Sequence, residues 1–106
     1  MKQRFITYTI MQCPISTPYY RANYQADTFS IFNYVRVYEG GLATCVNDAA
    51  TLDHITEYLN EHPTNFFGRP IDVSDIIVLE YNGHIKPYYI NDGEYIAVDV
   101  SKYRVR

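Results

Sequence analysis

Asp72 and Asp75 come closer to a catalytic pair in type and spacing than any other residues of this sequence. Two neighbouring carboxylates can divide the acid and base roles of a reaction when their surroundings separate their pKa values. Both aspartates, however, lie where the chain must turn into an apolar strand. Aspartate side chains at such turns accept hydrogen bonds from nearby backbone N–H groups. We therefore interpret both as turn-capping residues.

The histidines and Cys13 do not match the spacing of a metal or nucleophilic site. His54 and His62 are eight residues apart, whereas two ligands on one helix face are separated by one turn. His62 precedes Pro63 and is interpreted as a residue that meets the dipole at a helix C-terminus. Cys13 would act as a nucleophile only if folding placed a histidine beside it. The sequence thus predicts no catalytic residue, no metal site and no cofactor.

The length and composition predict one globular domain, residues 1–106. Hydrophobic residues make up 47% of the chain and charged residues 20%, which is ordinary for a globular protein. Cys13 and Cys45 are too few and too isolated for a disulfide framework, and free thiols are typical of a reducing compartment. The residues that follow Met1 alternate between polar and apolar, so we expect no signal peptide. We expect a cytoplasmic protein with no membrane span.

Tyrosine is the unusual component, with twelve copies and no tryptophan. Most of the twelve rings are expected to be structural, because tyrosine suits strands and half-buried surfaces. A core of this size cannot bury all of them, so some should be available to a partner. Residues 12–33 have no clear periodicity and predict a long ordered loop, with a short helical turn near residues 27–32. Tyr19, Tyr20 and Tyr24 in this loop are the predicted partner-binding anchors.

The remaining patterns predict an α+β domain. Alternation over residues 4–11 predicts a first strand, and residues 34–38 a second one that Gly40 and Gly41 end. Leu52, Ile55 and Leu59 recur at helical spacing. Asp48 or Thr51 is the expected N-cap of that helix, and Pro63 its end.

A hairpin is predicted from residues 76–81 and 85–90, joined by Asn82 and Gly83. Pro87 cannot donate to a sheet ladder, so its strand should lie at an edge or turn that nitrogen outward. Residues 95–100 predict a last strand with Ile96, Val98 and Val100 on its inner face. Together these elements predict an antiparallel sheet of about five strands with one main helix packed on one face.

Charge is unevenly distributed along the chain. Residues 37–99 carry eleven acidic residues against two basic ones, whereas residues 1–36 and 100–106 are each net basic by three. An acidic central body could complement a basic surface of a partner, and it also keeps a small domain soluble. Glu57 and Glu61, on the predicted outer face of the helix, are the charged residues that we expect at the rim of such an interface.

Residues 35–90 resemble the YodL-like domain family. The landmarks, in order, are Tyr38-Glu39-Gly40, a helix over residues 52–60, His62-Pro63, Phe67-Gly68-Arg69, Ser74-Asp75, an apolar strand over residues 76–79, and Tyr88-Tyr89. Pro87 and the segment 91–94 depart from the family pattern, so the hairpin edge is expected to differ. The resemblance implies a small protein of bacterial mobile genetic elements, where antirestriction and anti-CRISPR genes are neighbours. It implies no catalytic residue.

These observations lead to two functional hypotheses. The first is a non-enzymatic anti-defence protein that binds and inhibits a CRISPR effector or another host defence nuclease by occupying its nucleic-acid-binding surface. The alternative is an accessory or regulatory module of a conjugative element that binds another element-encoded protein or single-stranded nucleic acid. Basic and aromatic residues alternate at Arg4-Phe5, at Tyr19-Tyr20-Arg21 and at Lys102-Tyr103-Arg104. Such mixtures can stack bases and pair with phosphates.

Overall fold

A five-stranded antiparallel sheet and one α-helix make up most of the regular structure in a computed structural model, which describes residues 3–27, 29–61 and 68–98. The elements are β1 (Arg4–Gln12), a 3₁₀ turn (Ile31–Asn33), β2 (Val35–Thr44), α1 (Asp48–Glu61), β3 (Ile76–Tyr81), β4 (His84–Asn91) and β5 (Glu94–Ala97). The strand order is β2-β1-β3-β4-β5. The predicted α+β arrangement, with one helix and about five strands, is confirmed. The helix is too short and too polar to cross a membrane.

The helix covers one face of the sheet. Alternation in β1 turns Ile6, Tyr8 and Ile10 toward this face, and Leu52 and Ile55 of α1 pack against them in one buried cluster. Because the apolar residues of α1 recur every three or four positions, a single stripe of the helix can be buried. The helix predicted from this spacing is confirmed.

The predicted N-cap of α1 was wrong. Asn47 is the capping residue, because its side-chain oxygen accepts a hydrogen bond from the Ala50 N–H at 2.9 Å. Thr51 lies within the first turn and donates its hydroxyl to the Asn47 carbonyl at 2.8 Å. Asp48 is the first helical residue, and its side chain turns toward the sheet. The proposed end at Pro63 lies outside the described residues, as does His62.

The prediction that Gly40 and Gly41 end the second strand was also wrong. β2 continues to Thr44, and the two glycines pair with Tyr8 and Thr7 of β1. A Cβ atom at Gly40 would lie 2.7 Å from the ring of Tyr8. The glycine here makes room for a buried ring on the neighbouring strand, and it does not break the ladder.

The predicted hairpin is confirmed. Of the two alternatives predicted for Pro87, the edge strand is wrong, and the nitrogen is instead turned away from the β3–β4 ladder. Asn82 and Gly83 form a two-residue loop, and both have positive φ angles, 52° and 76°, as a type I′ turn requires. β4 lies inside the sheet, between β3 and β5. The Pro87 carbonyl accepts a hydrogen bond from the Val98 N–H at 3.1 Å. Its nitrogen therefore faces the end of the short β5 ladder, and the β3–β4 ladder loses no donor.

The loop between β1 and β2 covers one end of the opposite face of the sheet. Its residues Cys13, Ile31 and Tyr34 share a second buried cluster with Ile76 and Tyr89 of the sheet. The loop is therefore ordered by packing, and the helical turn in it is the 3₁₀ turn at Ile31–Asn33. The last strand is shorter than predicted. Val98 is buried as expected, and Val100 lies outside the described residues.

Candidate functional site

Asp48 is the centre of a polar network where α1 begins. Its carboxylate accepts hydrogen bonds from the hydroxyls of Tyr88 at 2.7 Å and Tyr81 at 3.1 Å, and from Arg4 at 3.3 Å. Burial opposes ionisation of this carboxyl, but these donors together outweigh it and lower the pKa of Asp48. An ionised side chain in the first turn of a helix also interacts favourably with the helix dipole.

The same network holds two basic side chains of the sheet. Arg4 lies over the ring of Tyr81 at 4.3 Å and Lys86 at 5.3 Å, and the Lys86 ammonium is 3.9 Å from Asp48. Both cations therefore face a carboxylate and a ring of their own chain. The network therefore holds two cations around one carboxylate, a net charge of +1 at the start of α1.

Carboxylates without such neutralisation lie along the outer side of α1. Asp53, Glu57 and Glu61 are exposed and follow one another at intervals of one helical turn. Glu94 lies at the start of β5, on the far side of a groove of about 700 Å³ that Asp53 and Tyr95 also line. We call Asp53, Glu57, Glu61 and Glu94 the acidic helix face.

Tyr95 fixes one member of the acidic helix face. Its hydroxyl donates a short hydrogen bond to Asp53. Burial and, to a smaller extent, the Asp53 carboxylate raise the pKa of Tyr95 to about 12. Tyr95 therefore stays a neutral donor to the Asp53 side chain.

Every basic side chain in the described ranges has an acidic partner. Arg21 pairs with Asp72 at 3.2 Å and Arg36 with Glu39 at 3.2 Å. The other three pairs are Arg4 and Lys86 with Asp48, and Arg69 with Asp75. By contrast, none of the four carboxylates of the acidic helix face pairs with a described basic residue. Each described Lys and Arg thus lies near a carboxylate, with Arg4 and Lys86 sharing Asp48, whereas the acidic helix face has no ion pair to a described Lys or Arg.

A second polar network is buried on the other side of the molecule, around Asp75. This carboxylate is 2% exposed and accepts hydrogen bonds from the Gln12 amide and the Asp72 N–H, both at 2.9 Å. Arg69 lies 3.9 Å away. Burial raises the pKa of Asp75 to about 6, and the hydrogen bonds and Arg69 oppose that rise. Asp72 in turn accepts from the Val73 N–H at 2.7 Å, so the turn-capping interpretation of both aspartates is confirmed.

Ser74 links this network to the long loop. It is fully buried, has a φ of 82°, and accepts a hydrogen bond from the Arg21 N–H at 2.8 Å. Cys13 is also fully buried, with its sulfur 3.9 Å from the Ser74 oxygen. The two histidines in the described ranges, His54 and His84, are exposed and lie on α1 and at the start of β4. Cys13 therefore contacts Ser74 instead of the histidine that a nucleophilic role requires.

The structure does not bring the five predicted partner-binding residues together on one surface. Tyr19, Tyr20 and Tyr24 are half-buried and pack against the cluster on the loop side of the sheet. Glu57 and Glu61 are exposed on α1, on the opposite side. Among the tyrosines that the structure describes, Tyr58 has the greatest exposure, at 47%. The prediction of exposed rings thus applies to the helix and not to the loop.

Sequence reasoning did not identify the tyrosines that contact Asp48 and Asp53. Tyr81, Tyr88 and Tyr95 lie on three different strands, and their hydroxyls converge on α1 only through the sheet register. The alternation of β4 was the available signal, because it places Tyr88 and Ile90 on the helix face and Tyr89 on the other. No three His, Cys, Asp or Glu side chains of the described residues are grouped as metal ligands.

Comparison with known proteins gives one match. The family model of the YodL-like domain matches residues 2–100, a longer range than the landmarks at residues 35–90 had suggested. Searches of curated proteins and of solved structures found no match. The matched range includes both polar networks, the acidic helix face and the long loop. The chain belongs to the YodL-like domain family.

Proposed function

We propose that this protein is a small non-enzymatic anti-defence protein that inhibits a host nuclease by occupying its nucleic-acid-binding surface. The observation that carries the proposal is the acidic helix face, whose exposed carboxylates form no ion pair with a described Lys or Arg. Surfaces that bind nucleic acid are rich in Lys and Arg. A row of carboxylates on one side of a helix complements such a surface and competes with phosphates for it.

The geometry of α1 suits this role. Residues four positions apart on a helix are separated by about 6 Å along its axis, so Asp53, Glu57 and Glu61 form a regular row of negative charge. The row lies on a rigid element whose inner side is anchored in the core. Because the helix backbone that carries the carboxylates is already ordered, only the side chains lose conformational freedom when a partner binds.

Aromatic rings lie beside this row. Tyr58 is next to Glu57 on the helix and is 47% exposed, and Tyr95 lines the neighbouring groove. Interfaces obtain much of their affinity from a few tyrosine, tryptophan and arginine side chains, while the surrounding charges steer the encounter. We assign the holding role to Tyr58 and the steering role to the carboxylates. Tyr19, Tyr20 and Tyr24 lie on the other side and are not required for this contact.

The choice of a defence nuclease, with a CRISPR effector as the first candidate, depends on the family context. Resemblance to YodL-like proteins implies a mobile genetic element, and such elements must resist host nucleases. Direct binding of single-stranded nucleic acid, the alternative, needs cations for the phosphates. All five basic side chains in the described ranges are ion-paired, which favours a protein partner.

A cleavage assay against a panel of CRISPR effectors and restriction nucleases tests the proposal. The purified protein should slow cleavage by at least one of them, and the two should be captured together. The double variant Glu57→Gln/Glu61→Gln should weaken this complex by about tenfold or more, mainly through slower association. Asp27→Asn/Glu80→Gln is the matched control, since it removes the same charge from exposed positions elsewhere.

The control variant should change the affinity by less than about twofold, because long-range attraction from distant exposed charges is screened by salt. Unchanged cleavage by every nuclease of the panel, with no captured complex, contradicts the proposal. Equal weakening by both double variants would show that total charge, and not the acidic helix face, governs binding.

A further inference from the structure

A pocket of about 560 Å³ lies on the loop side of the sheet, away from the acidic helix face. Aromatic rings from the loop and from β4 form much of its wall, namely Tyr19, Phe29, Tyr34 and Tyr89. The Phe29 ring is 5.9 Å from that of Tyr34 and 6.0 Å from that of Tyr89, the latter in an edge-on arrangement. The rings hold one another in place, so the pocket exists before a ligand binds.

Hydrogen bonds fix the same wall. The Tyr89 hydroxyl donates to the Ala22 carbonyl at 2.6 Å, and the Tyr24 N–H donates to the Asn91 side chain at 2.8 Å. These bonds tie the loop to β4 on one side of the pocket. A site whose walls are fixed in this way loses little entropy on binding.

The polar part of the lining includes side-chain amides and the Ser30 hydroxyl, besides the tyrosine hydroxyls. Asn23, Gln25, Ser30 and Asn33 contribute to it, and none of the described residues that line the pocket carries a charge. The side-chain amides of Asn23 and Asn33 make no hydrogen bond to a described residue. Each can therefore both donate to and accept from a ligand.

This combination of groups selects a class of ligand. An uncharged lining offers no compensation for a phosphate or a carboxylate, which would lose its hydration on entry. Aromatic rings stack on the planar ring of any nucleobase. Asparagine amides match the donor and acceptor pattern on the edge of a base. We propose that the pocket binds a nucleobase or nucleoside through its ring and its edge, without recognising a phosphate.

The experiment is an NMR titration of the full chain with adenosine, guanosine, cytidine and uridine as separate probes. At least one nucleoside should cause saturable shifts of signals from residues 18–34. The same nucleoside with a 5′-phosphate should bind with the same affinity within about twofold, and the affinity should not change between about 50 and about 200 mM salt. A short single-stranded oligonucleotide shows whether a base within a strand also enters the pocket.

Two variants and one control variant localise the binding. Asn33→Ala should weaken nucleoside binding about fivefold through the loss of a hydrogen bond, and Phe29→Leu should weaken it while keeping an apolar side chain. Gln3→Ala removes an exposed amide from outside the pocket and should leave the affinity unchanged. Thermal unfolding of each variant shows whether a loss of binding reflects a loss of folding.

The double variant Glu57→Gln/Glu61→Gln should retain nucleoside binding, although it should weaken the proposed nuclease complex. The two proposals can therefore fail independently of each other. No saturable shift with any of the four nucleosides or with the oligonucleotide overturns the inference. Binding that requires the phosphate and weakens as salt is raised overturns it as well, because the ligand would then be held by charge and not by the pocket. Salt-independent binding of the oligonucleotide alone would keep the base as the ligand and identify the strand as its source.

Discussion

The two faces of the sheet place their carboxylates in opposite situations. On the helix face, Asp53, Glu57 and Glu61 point into solvent, and no described basic residue pairs with them. On the loop side, Asp75 is 2% exposed and has hydrogen-bond donors at 2.9 Å. An exposed carboxylate contributes little to folding and is available to a partner, whereas a buried one holds the structure together and is not available. The presence of carboxylates in the sequence therefore does not by itself locate a partner-binding surface.

Replacement of Asp75 gives the largest expected difference between the two sides. Asp75→Ala would leave the Asp72 N–H without its acceptor, would remove one of the two acceptors of the Gln12 amide in a buried site, and would remove the carboxylate partner of Arg69. We expect a loss of about 3 kcal/mol in the free energy of unfolding. Asp53→Ala, on the exposed side, should cost less than about 1 kcal/mol.

Urea unfolding of the two variants measures both values under the same conditions. Similar losses for Asp53→Ala and Asp75→Ala would contradict the distinction between the two faces. The comparison is matched in chemistry, because each variant replaces an aspartate by alanine and each aspartate accepts at least one hydrogen bond from its own chain.

Asp75 and Asp48, the centres of the two polar networks, should change the stability of the fold in opposite directions when the pH is lowered. The pKa of Asp75 is raised to about 6 by burial, above the value of about 3.9 expected in the unfolded chain. The folded state therefore binds this proton more tightly, and Asp75 makes the fold more stable as the pH falls from about 7 to about 4. The pKa of Asp48 is lowered, so its contribution is present above its unfolded pKa and is lost only as the pH falls through its lower folded value.

Unfolding experiments between about pH 7 and about pH 5 test this sign. Relative to Asp75→Asn, which cannot titrate, the natural chain should gain stability as the pH is lowered. Arg69 and Asp72 are the charged neighbours of Asp75, and neither side chain is changed in this comparison. A relative loss of stability over this interval would show that the donors around Asp75 outweigh its burial.

The fold followed from local patterns to a large extent. The helix, the Asn82-Gly83 hairpin and the alternation of β1 depend on residues that are close in sequence, so the sequence predicts them. The errors concern distant partners. Gly40 and Gly41 are typical strand ends, and only the ring of Tyr8 across the ladder explains why the strand continues through them.

The candidate site was less predictable for the same reason. Tyr19, Tyr20 and Tyr24 lie in a segment without regular structure, and the sequence gives no measure of how deeply such a segment packs. The structure shows them against the loop-side cluster. Glu57 and Glu61 were placed on the exposed side because helical periodicity is local, and the structure shows them exposed there. Convergence of Tyr81 and Tyr88 on Asp48 depends on the strand order, which no single segment specifies.

The smallest expected effect concerns the tyrosines of the helix face. Tyr88→Phe removes the hydroxyl that donates to Asp48 at 2.7 Å, while Tyr81 and Arg4 still donate to the same carboxylate. Because the carboxylate keeps partners, we expect a loss of only about 1 kcal/mol in the free energy of unfolding. Tyr95→Phe, at the exposed Asp53, should cost less still, because water can replace the lost donor there. A loss for Tyr88→Phe as large as that of Asp75→Ala would mean that the Asp48 network is as indispensable to folding as the buried one, and the contrast between the two faces would then be one of exposure alone.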